Sequence, residues 1–147
     1  MKKNILFLLL FIAALFVYAQ DGVNWSVKHD KKELLKAYEE YPEKNIIVVK
    51  LSDLNKKSNF TVSYSEMNTA GTRGKWIRTI ALFTENDKEL YRKDSASIKI
   101  ADIQLKKMLQ ENKTIKVYSW ALPKDPAQAA RVRIRRVHLC TIETHLN

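Results

Sequence analysis

The chain has 147 residues, with 26 Lys and Arg against 16 Asp and Glu and a formal net charge of +10. A single cysteine excludes an intramolecular disulfide, so packing alone must hold the fold. Three glycines, three prolines and no repeat or Ser/Gly-rich tract leave no internal linker, which restricts the chain to one domain.

Residues 1–19 read as a Sec-type signal peptide. Lys2 and Lys3 form its basic start, Ile5 to Val17 its apolar run, and Val17-Tyr18-Ala19 its cleavage site. The apolar run is shorter than the roughly 20 residues that span a bilayer, and no basic flank follows it, so no transmembrane anchor is expected after cleavage. Cutting after Ala19 leaves residues 20–147, a secreted or periplasmic domain whose net charge is +8 once Lys2 and Lys3 are gone. In that setting a basic domain meets anionic glycans, lipopolysaccharide or phospholipid head groups rather than nucleic acid.

Residues 20–29 read as a lead-in ordered by Trp25. Asp30-Lys31-Lys32-Glu33 has the form of a capping box, and Leu34, Leu35, Tyr38 and Tyr41 follow at helical spacing up to Pro42, which predicts a helix over 31–41. From Asn45 the pattern turns to β. Ile46 to Leu51 is a continuous branched run, as in a strand covered on both faces, and Phe60, Val62 and Tyr64 alternate with Thr61, Ser63 and Ser65 as in a half-exposed strand. Asn68 to Gly74 is a loop with two of the three glycines. Trp76 to Thr84 and Glu89 to Lys93 form a hairpin about Glu85-Asn86-Asp87-Lys88, and Ser97 to Ile100 is a short alternating strand. Asp102 offers an N-cap to a second helix with Ile103, Leu105, Met108 and Leu109 on its apolar stripe. Two strands close the chain, Ile115 to Leu122 and Arg131 to Ile142, around a loop rigidified by Pro123 and Pro126.

Strands at roughly ten-residue spacing predict a mainly β domain: an antiparallel β-sandwich of six to seven strands with two short helices. A calycin-like open barrel is the alternative architecture. The expected core contains Ile47, Val49, Phe60, Val62, Ile80, Leu82, Leu105, Leu109, Val117, Ile134, Val137 and Leu139.

The most distinctive segment is Arg131-Val132-Arg133-Ile134-Arg135-Arg136-Val137-His138-Leu139-Cys140. Its apolar phase slips by one residue at Arg135-Arg136, where a β-bulge would restore one core face and set Arg131, Arg133, one or both of Arg135 and Arg136, and His138 outward as a basic ladder. Tyr118 and Trp120 share a face of the preceding strand. Arginine forks grip carboxylate, sulfate or phosphate, and aromatic planes stack on sugars, so these seven residues are the candidate ligand-binding set. The same pattern also serves to cover a sheet, with arginine stems lying on the rings.

No catalytic residue, metal ligand or cofactor is expected. His29, His138 and His145 lack ligand spacing, no nucleophile motif occurs, and Cys140 in a β run reads as a small buried hydrophobe, with an intermolecular disulfide as the alternative. The expectation is a non-enzymatic exported module that binds an anionic glycan or cell-envelope component through the basic and aromatic face. The rival is a structural or accessory subunit that docks an envelope protein through an exposed sheet face or edge.

Overall fold

A computed structural model describes residues 22–55, 57–66 and 74–144. The expected signal peptide and the Gln20 terminus, most of the loop expected at Asn68 to Gly74, and His145 lie outside these residues. Among the described residues nine strands form two sheets that face each other across one core and do not close into a barrel. The strands in chain order are β1 Val23–His29, β2 Lys32–Ala37, β3 Ile46–Val49, β4 Asn59–Glu66, β5 Trp76–Thr84, β6 Glu89–Lys93, β7 Ser97–Ala101, β8 Thr114–Pro123 and β9 Val137–Thr144. A four-stranded sheet has the order β2-β1-β4-β7, and a five-stranded sheet the order β3-β9-β8-β5-β6. Every pairing is antiparallel except that of β3 with β9. Helix α1, Asp102–Glu111, buries Leu105, Met108 and Leu109 against strands of both sheets, and α2, Pro126–Ala129, is a single turn capped by Asp125.

The mainly β, two-sheet architecture follows the sequence, with nine strands among the described residues in place of six to seven; the element at 31–41 is not a helix, and the second short helix stands at 126–129, where a loop was expected. His29 pairs with Lys32 across a two-residue turn in which Asp30 takes φ +51°, a left-handed conformation that aspartate tolerates. The apparent capping box is therefore a hairpin turn. The lead-in is strand β1, with Trp25 and Val27 in the core. A bulge leaves Leu34 as the extra residue between pairs Lys28↔Glu33 and Val27↔Leu35. That irregularity half-buries adjacent leucines and hides the period of two that a strand would otherwise display.

Three further expectations are corrected. Strand β3 lies at a sheet edge, so Ile47 and Val49 are buried while Val48 is 53% exposed. Asp102 is not the cap of α1. Ala101 holds that position, and Asp102 is the first helical residue, its buried carboxylate accepting from the Asn55 backbone N–H at 3.1 Å and lying 2.7 Å from His29 Nε2. Ile103 points away from the core because it is about 200° around the helix from Leu105.

The last strand carries the largest departure. Residues 131–136 belong to no strand, Ile134 is 51% exposed, and the bulge expected at Arg135-Arg136 is absent. The chain leaves α2 through a turn and first pairs at Val137, opposite Ser119. Before that point Arg135 is drawn to Glu40 at 2.7 Å and Arg136 to Asp87 at 2.8 Å. The phase slip lies further along: β8 pairs Val117 with Cys140 and Tyr118 with His138, leaving Leu139 as the extra residue. The Leu139 carbonyl accepts a 2.6 Å hydrogen bond from Trp25 Nε1, so the bulge in one sheet is clamped by a tryptophan from the other.

Candidate functional site

Register places the outer face of the five-stranded sheet. In one cross-strand row stand Arg92, Ala81, Tyr118 and His138, contributed by β6, β5, β8 and β9. The neighbouring outward positions are Thr79 and Trp120 on one side, Phe83 and Lys116 on the other. Continuous apolar character from Ile80 to Phe83 follows from burial on both faces: Ile80 and Leu82 enter the main core, while Ala81 and Phe83 join Trp120 in a second cluster outside the sheet. Because Ala81 is small, the rings of Phe83 and Trp120 close over it with centroids 6.3 Å apart.

Two guanidinium groups cover these rings. Arg136 lies 4.5 Å from the Phe83 centroid and 5.8 Å from that of Trp120, and Arg92 lies 5.2 Å from Trp120. Phe83 is 2% exposed and Trp120 6%, so their faces are occupied by arginine and not open to a sugar. The heads reach solvent and meet carboxylates there, Arg136 with Asp87 at 2.8 Å and Arg92 with Asp94 at 3.8 Å. Such exposed pairs contribute only about 0–1 kcal/mol each, so an incoming anion competes with them at little cost.

Tyr118 is half-buried, with its ring edge-on to His138 at 5.4 Å and to Phe83 at 5.8 Å. His138 is buried beneath this cluster. Its Nε2 is 3.0 Å from Thr141 Oγ1, and its Nδ1 has no partner among the described residues. Burial pushes the His138 pKa down, opposed by the Glu40 charge and reinforced by Lys116.

Of the seven residues expected at the site, Arg136, His138, Tyr118 and Trp120 converge on this face. Arg131 and Arg133 are exposed on the segment before β9, and Arg135 turns to Glu40. The basic ladder is therefore replaced by two arginines from distant parts of the chain, Arg92 on β6 and Arg136 just before β9. Arg92 and Phe83 escaped the sequence reading, although the unbroken apolar run of β5 signalled a covered second face. Among the described residues no group of three His, Cys, Asp or Glu side chains is placed to hold a metal ion. Cys140 is fully buried and its thiol is pushed up to about 12 by that burial, which leaves it without nucleophilic character at neutral pH.

No protein-family model, curated protein or solved structure matches this chain. The functional reading therefore rests on the geometry of its own surfaces.

Proposed function

We propose that the protein is an exported, non-enzymatic binding module that holds an anionic glycan or another anionic component of the cell envelope on the outer face of the five-stranded sheet. The observation that carries this reading is the pair of guanidinium groups, Arg92 and Arg136, stacked on Phe83 and Trp120 beside a half-exposed tyrosine. Stacking restrains two otherwise flexible stems, so less conformational entropy remains to be lost when a sulfate, phosphate or carboxylate is gripped. The signal-peptide pattern supplies the address, with the chain beginning at Gln20 after cleavage and working in the periplasm or outside the cell.

Retention on immobilised lipopolysaccharide and on a sulfated polysaccharide tests the reading. Replacing Arg92 and Arg136 by Gln should weaken retention far more than replacing Arg131 and Arg133, which removes the same charge. Equal losses would reduce the face to a solvated cover for the sheet. Mass spectrometry of envelope protein should find Gln20 at the N-terminus, and an intact Met1 in the soluble fraction would remove the premise of export.

A second reading, an accessory subunit that docks an envelope protein, draws on strand β3. It forms a sheet edge and turns Ile46 and Val48 outward. Co-purification that survives high salt and is lost on Val48→Lys would favour it.

A further inference from the structure

The geometry points to a second anion-binding surface, the outer face of the four-stranded sheet, shaped for an extended chain that carries several phosphate or sulfate groups. This surface is independent of the arginine face, because the two lie on opposite sides of the sandwich.

Strand alternation builds this face. In β1 and β4, Trp25, Val27, Phe60 and Val62 point into the core, so Ser26, Lys28, Thr61 and Ser63 must point out. Register assembles these into rows. One runs Glu33, Lys28, Thr61, Lys99 across β2, β1, β4 and β7; the next runs Lys36, Ser26, Ser63, Ser97. The floor is thus paved with hydroxyl groups, Ser63 Oγ and Ser97 Oγ lying 2.8 Å apart, with Lys36 and Lys99 on its edge strands and Lys28 on β1 between them. At the hairpin end the floor opens into a hollow of about 710 Å³ walled by Lys31, Lys32, Lys57 and Lys99.

Lys28, Lys36 and Lys99 face this surface by register and Lys31, Lys32 and Lys57 line the hollow at its hairpin end, against two acids, and none of the six lysines forms an ion pair with a described carboxylate. Of the acids, Asp30 is engaged: hydrogen bonds from Ser58 and from the Asn59 backbone N–H hold its carboxyl below the usual range, helped by the charges of His29 and Lys99. Glu33 stands opposite Lys28 and is exposed.

The character of these cations selects the ligand. Lysine is a point charge on a flexible stem, without the planar fork that fixes one carboxylate or phosphate in place, and the exposed ring beside it, Tyr38, is at the rim with Lys36 Nζ 5.9 Å from its centroid. Lys28 and Lys99 are separated by two strand spacings, about 10 Å, so holding both heads on one small anion would immobilise two long flexible stems for a single contact. A chain with repeated charges can engage several lysines at once and gains from release of its condensed counterions, while serine and threonine hydroxyls donate to its oxygens. A single orthophosphate has neither advantage.

Calorimetric titration of the full exported protein with long-chain inorganic polyphosphate, with a sulfated polysaccharide and with orthophosphate provides the test. The chains should bind, with affinity falling at least tenfold between about 50 and 200 mM salt, while orthophosphate gives no saturable signal. Lys28→Gln, Lys32→Gln and Lys99→Gln together should lower affinity for polyphosphate at least tenfold, and the corresponding Lys→Arg triple should retain it. Lys75→Gln, Lys113→Gln and Lys124→Gln together remove the same charge elsewhere and should cost less than threefold, as should Arg92→Gln with Arg136→Gln. Unchanged melting temperatures would establish that each variant is folded. Equal losses in the two lysine triples, tight binding of orthophosphate, or no binding of either chain at low salt would overturn the inference. Loss of lipopolysaccharide retention only in the arginine pair would leave it intact.

Discussion

The two outer faces of this sandwich solve the same problem in opposite ways. Each must cover one side of a sheet and keep the protein soluble. On the five-stranded sheet, aromatic rings close over Ala81 and arginines close over the rings, so every cation that matters there is also part of the packing. On the four-stranded sheet, serine and threonine leave the backbone thinly covered and the lysines stand free of it. One face carries stability; the other is free to change its partners. A net basic charge alone does not distinguish these arrangements, because charge on a stacked arginine and charge on a solvated lysine differ in what must be disrupted to use it.

The sharpest way to break the comparison is to truncate a residue on each face. Phe83→Ala should destabilise by about 3–5 kcal/mol, as for other nearly buried phenylalanines, whereas Thr61→Ala should stay within about 0.5 kcal/mol. Urea unfolding of both variants measures this, and equal midpoints would mean that the outer aromatic cluster carries no packing energy. Next comes the clamp between the sheets. Trp25→Phe keeps most of the ring but removes the donor to the Leu139 carbonyl, and should cost about 1–3 kcal/mol from the unsatisfied acceptor and lost volume.

A smaller effect distinguishes the faces by pH. Burial lowers the His138 pKa, so the folded protein binds its proton less readily than the unfolded chain does. The stabilisation this represents is complete above the ordinary histidine value near 6.5 and is lost as pH falls from there toward the lowered folded-state value. Denaturant midpoints measured from neutral to mildly acidic pH should therefore fall in the wild type and fall less in His138→Gln. Smallest of all is the response of Cys140. Its thiol should stay unreactive toward a disulfide reagent until denaturant is added, and non-reducing electrophoresis of native protein should show no disulfide-linked dimer.

Much of this molecule was legible before folding was considered. The hairpin of β5 and β6 has the predicted bounds, and ten of the twelve expected core residues are buried, the exceptions being Ile134 and the half-buried Val137. These are segments where period, turn chemistry and burial agree. The candidate face was half legible: Tyr118, Trp120 and His138 meet from strand positions, Arg136 joins them from the segment before β9 and not from the expected ladder, and Arg92 and Phe83 arrive from strands whose order no local pattern reveals.

The mainly β character is written in local pattern, because alternation of apolar and polar residues is what one buried face imposes on each strand. Tertiary structure alone decided the rest. Residues 31–41 carry a helical spacing, yet β1 requires an antiparallel partner and Asp30 accepts the turn that supplies one, so pairing overrode the local signal. Residues 131–136 alternate like a strand, yet β9 pairs with β8 only from Val137 onward and Glu40 and Asp87 hold two of their arginines, so no ladder forms. The lysine surface is the clearest case. Its members come from β1, β2, β7 and their connecting turns, and only the order β2-β1-β4-β7 brings them onto one side of one sheet.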